Sequence, residues 1–144
     1  MSGPRLAVRA VIVREGRLLL VNAYPGNRSR LCCAPGGGVE KHQSVHDNLI
    51  REVREETGLE IVPGRLLAVS EFHDPPRGFH QVELFYRAEA VGEVTLDDPE
   101  GVVNRHVWAT EAEMAGLHVK PDVLRRIAFA EGEVLHDPLE TIVE

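Results

Sequence analysis

The chain has 144 residues, 43% apolar and 27% charged, which fits one soluble globular domain with a sizeable core and excludes a disordered chain. Its formal net charge of −7 argues against extended nucleic-acid binding, which needs a basic face. No apolar run approaches the roughly 20 residues that span a bilayer, and the stretch from Met1 to Arg5 lacks the apolar core of a signal peptide, so a cytoplasmic location without membrane partners is expected.

Leu6 to Val13 reads as a strand, Glu15-Gly16 as a turn, and Arg17 to Asn22 as a second strand. Ala23 to Arg30, with Pro25, Gly26 and Asn27, reads as a loop. The short apolar run Leu31 to Ala34 contains adjacent Cys32 and Cys33, a spacing that strains a disulfide, so two reduced thiols are expected. After Pro35-Gly36-Gly37-Gly38 the hydrophobic period changes from two to about 3.6. Ser44 with Asp47 three residues on has the form of a capping box, and the helix it opens should run to about Thr57, with Gly58 as a left-handed terminator. Val45, Leu49, Ile50 and Val53 fall on its apolar face.

Ile61 to Phe72 is a predicted strand, with Pro63-Gly64 as the place where it would break. A loop over residues 73–78 separates it from a strand at Gln81 to Ala90, and Val102 to Ala109 gives another. Thr110 with Glu113 repeats the capping-box pattern and starts a short helix ending near Gly116. Pro121 is placed at a helix start, Val123 to Ala130 forms the last helix, and residues 131–144 are expected to be an irregular tail. Strands outnumber helices and neighbour each other without crossovers, so the fold class is α+β, a mixed sheet with flanking helices in a single domain over 1–144.

The chemistry concentrates between Gly36 and Leu59. At about 100° per helical residue, Glu52 and Glu56 lie within about 40° of each other, and Glu55 about 60° to the other side of Glu52. Arg51, four residues before Glu55, is placed to hold it. Like charges at i and i+4 cost roughly 0.2–0.5 kcal/mol, and carboxylates at a helix C-terminus oppose the helix dipole. A divalent cation would offset both, and all-oxygen ligation points to Mg²⁺ or Mn²⁺. The glycine run just before the helix lets a loop carbonyl approach as a further hard ligand.

Gly37 followed by Arg51-Glu52-Val53-Arg54-Glu55-Glu56-Thr57-Gly58-Leu59 resembles the Nudix box over residues 37–59, meeting all but one of its defining positions. The departure is Gln43, where that pattern has Glu; Asn48 stands where a small residue is usual and Cys32 where Trp is frequent. The resemblance implies a Nudix-like mixed sheet between helices and a hydrolase that cleaves a diphosphate linkage in a nucleotide derivative. It implies Mg²⁺ held by Glu52, Glu55, Glu56 and the Gly37 carbonyl, with Glu100 of the acidic Asp97–Gly101 turn as a further ligand and Glu83 as its rival. Arg51, Glu52 and Glu55 are the implied catalytic residues, with Glu52 or a downstream acid as general base. Gln43 implies a weaker or retuned site. Homodimers are common in that family.

The box specifies chemistry and leaves the substrate open among ADP-ribose, nucleotide sugars, nucleoside triphosphates and dinucleotide polyphosphates. Arg9, Arg28, Arg30 and Arg77 are candidate phosphate contacts, each with an ordinary surface charge as the alternative. Pro75, sixteen residues past the box, matches a spacing of ADP-ribose-hydrolysing members, although Pro76 beside it fits an ordinary loop equally well. A non-catalytic nucleotide sensor and an RNA 5′-end pyrophosphohydrolase are the competing functions.

Overall fold

In a computed structural model, which describes residues 3–141, the Ser44 hydroxyl accepts a hydrogen bond from the Asp47 N–H at 3.0 Å. At the other end Gly58 takes φ 76° and its N–H bonds the Arg54 carbonyl. Between these caps helix α1 spans Val45–Thr57 and buries Leu49 and Val53. Replacing Ser44 by Ala is expected to cost about 1 kcal/mol, read as a lower urea midpoint at unchanged slope.

The strands are β1 (Arg5–Val11), β2 (Val13–Arg14), β3 (Arg17–Asn22), β4 (Cys32–Cys33), β5 (Gly36–Gly38), β6 (Glu60–Asp74), β7 (Phe79–Val91), β8 (His106–Thr110) and β9 (Leu135–Thr141); helix α2 is Leu124–Phe129. Glu15 at φ 53° and Gly16 at φ 75° make the turn between β2 and β3, both in the left-handed region that a tight hairpin with the native twist requires. A five-stranded mixed sheet has the order β5-β1-β7-β6-β9, with β1/β7 and β6/β9 parallel. The second sheet is antiparallel and centred on β3, which pairs with β2, β4 and β8.

The mixed sheet lies between the two helices. Val8, Ala10 and Ile12 pack with Leu49 and Val53 of α1, while Val11, Ala68 and Phe85 pack with Leu124 and Ile127 of α2 and with Leu18 and Leu20 of β3. The predicted α+β class and the helix-flanked mixed sheet are therefore present, with a smaller second sheet added. Strand β6 does not break at Pro63-Gly64; it absorbs the interruption as register shifts between Pro63 and Ala68.

Three boundaries differ from expectation. Pro121 is not the first helical residue: its carbonyl accepts the Leu124 N–H in the turn before α2. The strand expected from Val102 begins only at His106. The N–H groups of Val102 and Val103 bond the Asp98 carboxylate, and those of Asn104 and Arg105 bond the Asn22 side chain, so this stretch is a loop tied down by side chains. The tail expected to be irregular contains β9, which runs parallel to β6 at the sheet edge. Its polar residues and Pro138 hid it; an edge strand tolerates Pro, and a register shift lies between the pairs Ser70–Asp137 and Phe72–Glu140 that flank it. The end of that tail, 142–144, lies outside the described residues.

Candidate active site

Strand β5 and the last turns of α1 meet because glycine leaves room. A Cβ on Gly37 would fall 2.7 Å from the Glu52 carboxylate, so that carboxylate packs directly on the Gly37 backbone. The Gly36 N–H donates to Glu56 Oε1 at 2.9 Å. Asn48, fully buried on α1, binds the other end of β5: its Nδ2 donates to the Gly38 carbonyl at 3.0 Å, and its Oδ1 accepts from the Glu40 N–H at 3.1 Å. The same Oδ1 accepts from Arg51 Nη2 at 3.1 Å. Sequence reasoning noted Asn48 only as a departure; the signal was a polar residue wedged between Val45 and Leu49 on the apolar face.

Arg51 is the cation of the cluster. Its Nη1 lies 3.2 Å from Glu55 Oε2, and its Nη2 lies 3.3 Å from Glu52 Oε1 and 3.6 Å from Glu40 Oε1. Gln43 Nε2 donates to Glu40 Oε2 at 3.3 Å, so this departure contacts the loop before α1. Burial raises the Glu52 pKa, Arg51 opposes that, and Glu55 and Glu100 push it further up. Glu56 is pushed to about 8, mainly by burial; Arg9 and the Gly36 N–H counteract this, while Glu52 and Asp98 add to it. Crowded, desolvated carboxylates are therefore the physical character of this end of α1.

The predicted ligands are brought together unequally. Glu52 and Glu56 sit against β5, and Glu100 is exposed but close enough to act electrostatically on Glu52. Glu55 is turned to Arg51. Among the described residues no three His, Cys, Asp or Glu side chains converge closely enough to hold a cation as they stand. The donor chemistry, oxygen only and short of counter-charge, nevertheless fits a hard divalent cation. Glu83, the rival acid, is not a free carboxylate: it pairs with Arg9 at 2.6 Å and is buried.

Beside Glu56 opens a cleft of about 260 Å³ between β1, β7 and the segments after β3. Arg9 lines it, whereas Arg28 sits over the Tyr24 ring and Arg77 pairs with Asp74 at 3.0 Å. The loop that carries Glu100 is held by residues that sequence reasoning missed. The Asp98 carboxylate accepts three backbone N–H bonds, from Glu100, Val102 and Val103. Asn22 bonds the Tyr24 and Val102 carbonyls and the N–H groups of Asn104 and Arg105.

The family model described as the NUDIX domain matches residues 3–129. The chain belongs to the Nudix family. Its Nudix box is the α1 and β5 cluster just described. It is 31% identical to the ADP-ribose pyrophosphatase of Methanocaldococcus jannaschii over 136 residues, 93% of this chain and 72% of that protein. It is 35% identical to the putative ADP-ribose pyrophosphatase YjhB of Bacillus subtilis over 57% of this chain, a match that spans only 39% of that relative. Among solved structures, the MutT NUDIX hydrolase from Burkholderia pseudomallei superposes with a TM-score of 0.77 at 25% identity, covering 90% of this chain and all of that one. Among the described residues of this Nudix chain, no helix is long and apolar enough to cross a membrane.

Proposed function

We propose that this Nudix protein is a Mg²⁺-dependent pyrophosphohydrolase, folded as one domain, that cleaves the diphosphate linkage of a nucleoside diphosphate derivative of the ADP-ribose class. The observation that carries this reading is the pair of desolvated carboxylates packed on the glycine strand, Glu52 and Glu56, the latter at the edge of the cleft. Glu52, Glu56, Glu100 and the Gly37 carbonyl, joined by Glu55 on leaving Arg51, would hold the metal. Mg²⁺, with Mn²⁺ as a substitute, supplies Lewis-acid polarisation of the phosphoryl oxygens and activation of the attacking water.

The chain's own residues do the rest. Glu52, packed on the Gly37 backbone beside the other carboxylates, is placed to take the proton of the attacking water. Arg51 keeps Glu52 and Glu55 from repelling each other and fixes their direction. The glycine backbone of β5 lets the diphosphate approach without a side chain in the way. The two ADP-ribose pyrophosphatase relatives support that substrate class.

The test is product analysis with Mg²⁺ across ADP-ribose, a nucleotide sugar, a nucleoside triphosphate and a dinucleotide polyphosphate. AMP and ribose 5-phosphate from ADP-ribose are the expected products. A second reading, a nucleotide sensor, is favoured by the hold of Arg51 on Glu55; binding of the panel without any product would establish it. Strongly salt-dependent binding of 5′-triphosphorylated RNA would instead favour an RNA 5′-end enzyme, which the net charge of −7 opposes.

A further inference from the structure

The floor of the cleft is polar in a way the metal-facing carboxylates do not explain. Strands β1 and β7 run parallel, with Arg5 opposite Gln81 and Ala7 opposite Glu83. Arg5, Arg9, Gln81 and Glu83 therefore share one sheet face, and all four line the cleft beside Glu56. They form two rungs. Arg5 Nη1 donates to Gln81 Oε1, and Arg9 Nε donates to Glu83 Oε2 at 2.6 Å. Gln81 is 1% exposed and the Glu83 side chain 7%. A buried ion pair gives little net stability compared with apolar residues of the same volume, so its presence on a cleft floor calls for another reason.

Both rungs are held in position. Arg9 Nη1 also donates to the Ala34 carbonyl at 3.3 Å. The Arg5 guanidinium lies against Gly38, where a Cβ would come 2.6 Å from Nη2. A side chain at position 38 would push that fork off its rung.

The pattern of donors and acceptors decides what the floor reads. Glu83 cancels Arg9, and Glu56 stands on the same cleft. Arg5 and Lys120 line it as well, and what sets the floor apart is the alternation of N–H donors with amide and carboxylate acceptors along the two rungs. An uncharged group that carries O–H or N–H donors beside acceptors matches guanidinium N–H groups set next to carboxylate and amide oxygens. We propose that the Arg5–Gln81 and Arg9–Glu83 rungs determine specificity by reading an uncharged donor-and-acceptor edge on one end of the substrate. That edge belongs either to a sugar, through its hydroxyls, or to a nucleobase. The inference rests on the diphosphate-hydrolase reading and names the part of the site that selects among such substrates.

The experiment measures kcat/KM with Mg²⁺ for ADP-ribose, for its hypoxanthine analogue and for ADP-glucose. Wild type is compared with Glu83→Gln, which keeps the side-chain volume and an acceptor for Arg9, and with Arg5→Met, at an exposed position. Thermal unfolding confirms that each variant is folded. Wild type is expected to discriminate among the three, and both variants to lose that discrimination by about tenfold or more. A collapsed ratio between the two bases places the base on the rungs; a collapsed ratio between ADP-ribose and ADP-glucose places the sugar there. Equal treatment of all three by wild type, or variants that slow all three by one factor or not at all, would overturn the proposal. Should wild type cleave none of them, the hydrolase reading fails by itself. Equilibrium binding of the same compounds to the three proteins then decides the rungs by the same ratios.

Discussion

Replacing Glu56 by Gln is expected to cut turnover at least about a hundredfold while making the metal-free protein more stable at neutral pH. Burial, with Glu52 and Asp98 adding, pushes the folded-state carboxyl to about 8, against an ordinary value of 4.5. Between those values the folded protein holds a proton that the unfolded chain has released. The stability this contributes is fully present below pH 4.5 and is lost as the pH rises through about 8. Each unit of separation corresponds to about 1.4 kcal/mol. Gln stays neutral at every pH and keeps an acceptor for the Gly36 N–H. The part of the slope due to this residue should therefore vanish, leaving the smaller part that the raised Glu52 contributes. Urea unfolding in chelator at pH 5, 6.5 and 8 measures it: the wild-type midpoint falls toward pH 8 and that of Glu56→Gln falls much less. Adding Mg²⁺ at pH 8 should raise the wild-type midpoint much more than that of the variant. Equal slopes in both proteins would remove Glu56 as the titrating group. Lost turnover and gained stability in one substitution are what a site held under electrostatic strain produces, and a merely structural glutamate produces neither.

The sequence exposed the features that are local. The Ser44 cap, the Gly58 terminator and the Glu15-Gly16 turn each depend on residues within a few positions of one another, and each is in place. What stayed hidden depends on strand pairing across long separations. The partner of Glu83 is Arg9, more than seventy positions away and brought beside it by the β1–β7 register. Residues 102–105 looked like the start of a strand because the Val pair is apolar; Asp98 and Asn22 capture their N–H groups instead. Strand β9 has too few apolar residues to announce itself, since an edge strand buries little of its surface. Composition described side chains, and in these places the backbone hydrogen bonds were decided by distant partners.

The two neighbouring glycines of β5 should respond to Ala in opposite ways. Gly36→Ala is expected to destabilise the protein by about 3 kcal/mol or more, a large share of the roughly 5–15 kcal/mol that holds an ordinary domain folded. Gly36 sits at φ 152°, and a Cβ there would lie 2.0 Å from the Val8 carbonyl oxygen and 2.9 Å from Arg9 Cα. Both obstacles are backbone, and the β1–β5 pairing of Arg9 with Gly36 leaves neither strand free to retreat. At Gly37 the added Cβ would instead meet the Glu52 carboxylate at 2.7 Å, the far end of a flexible side chain. Gly37→Ala should therefore keep its unfolding midpoint close to wild type and lose activity, because Glu52 must swing away from β5 and from its place among the carboxylates. Thermal unfolding of both variants, read beside Mn²⁺ titration of Gly37→Ala, separates the two effects. A Gly36→Ala variant with a wild-type unfolding midpoint would mean that β5 can shift away from β1. A Gly37→Ala variant with unaltered Mn²⁺ affinity would mean that the cation does not depend on where Glu52 now lies. The difference between the two positions follows from what each glycine faces: at Gly36 the missing side chain makes room for the sheet, and at Gly37 for the Glu52 carboxylate.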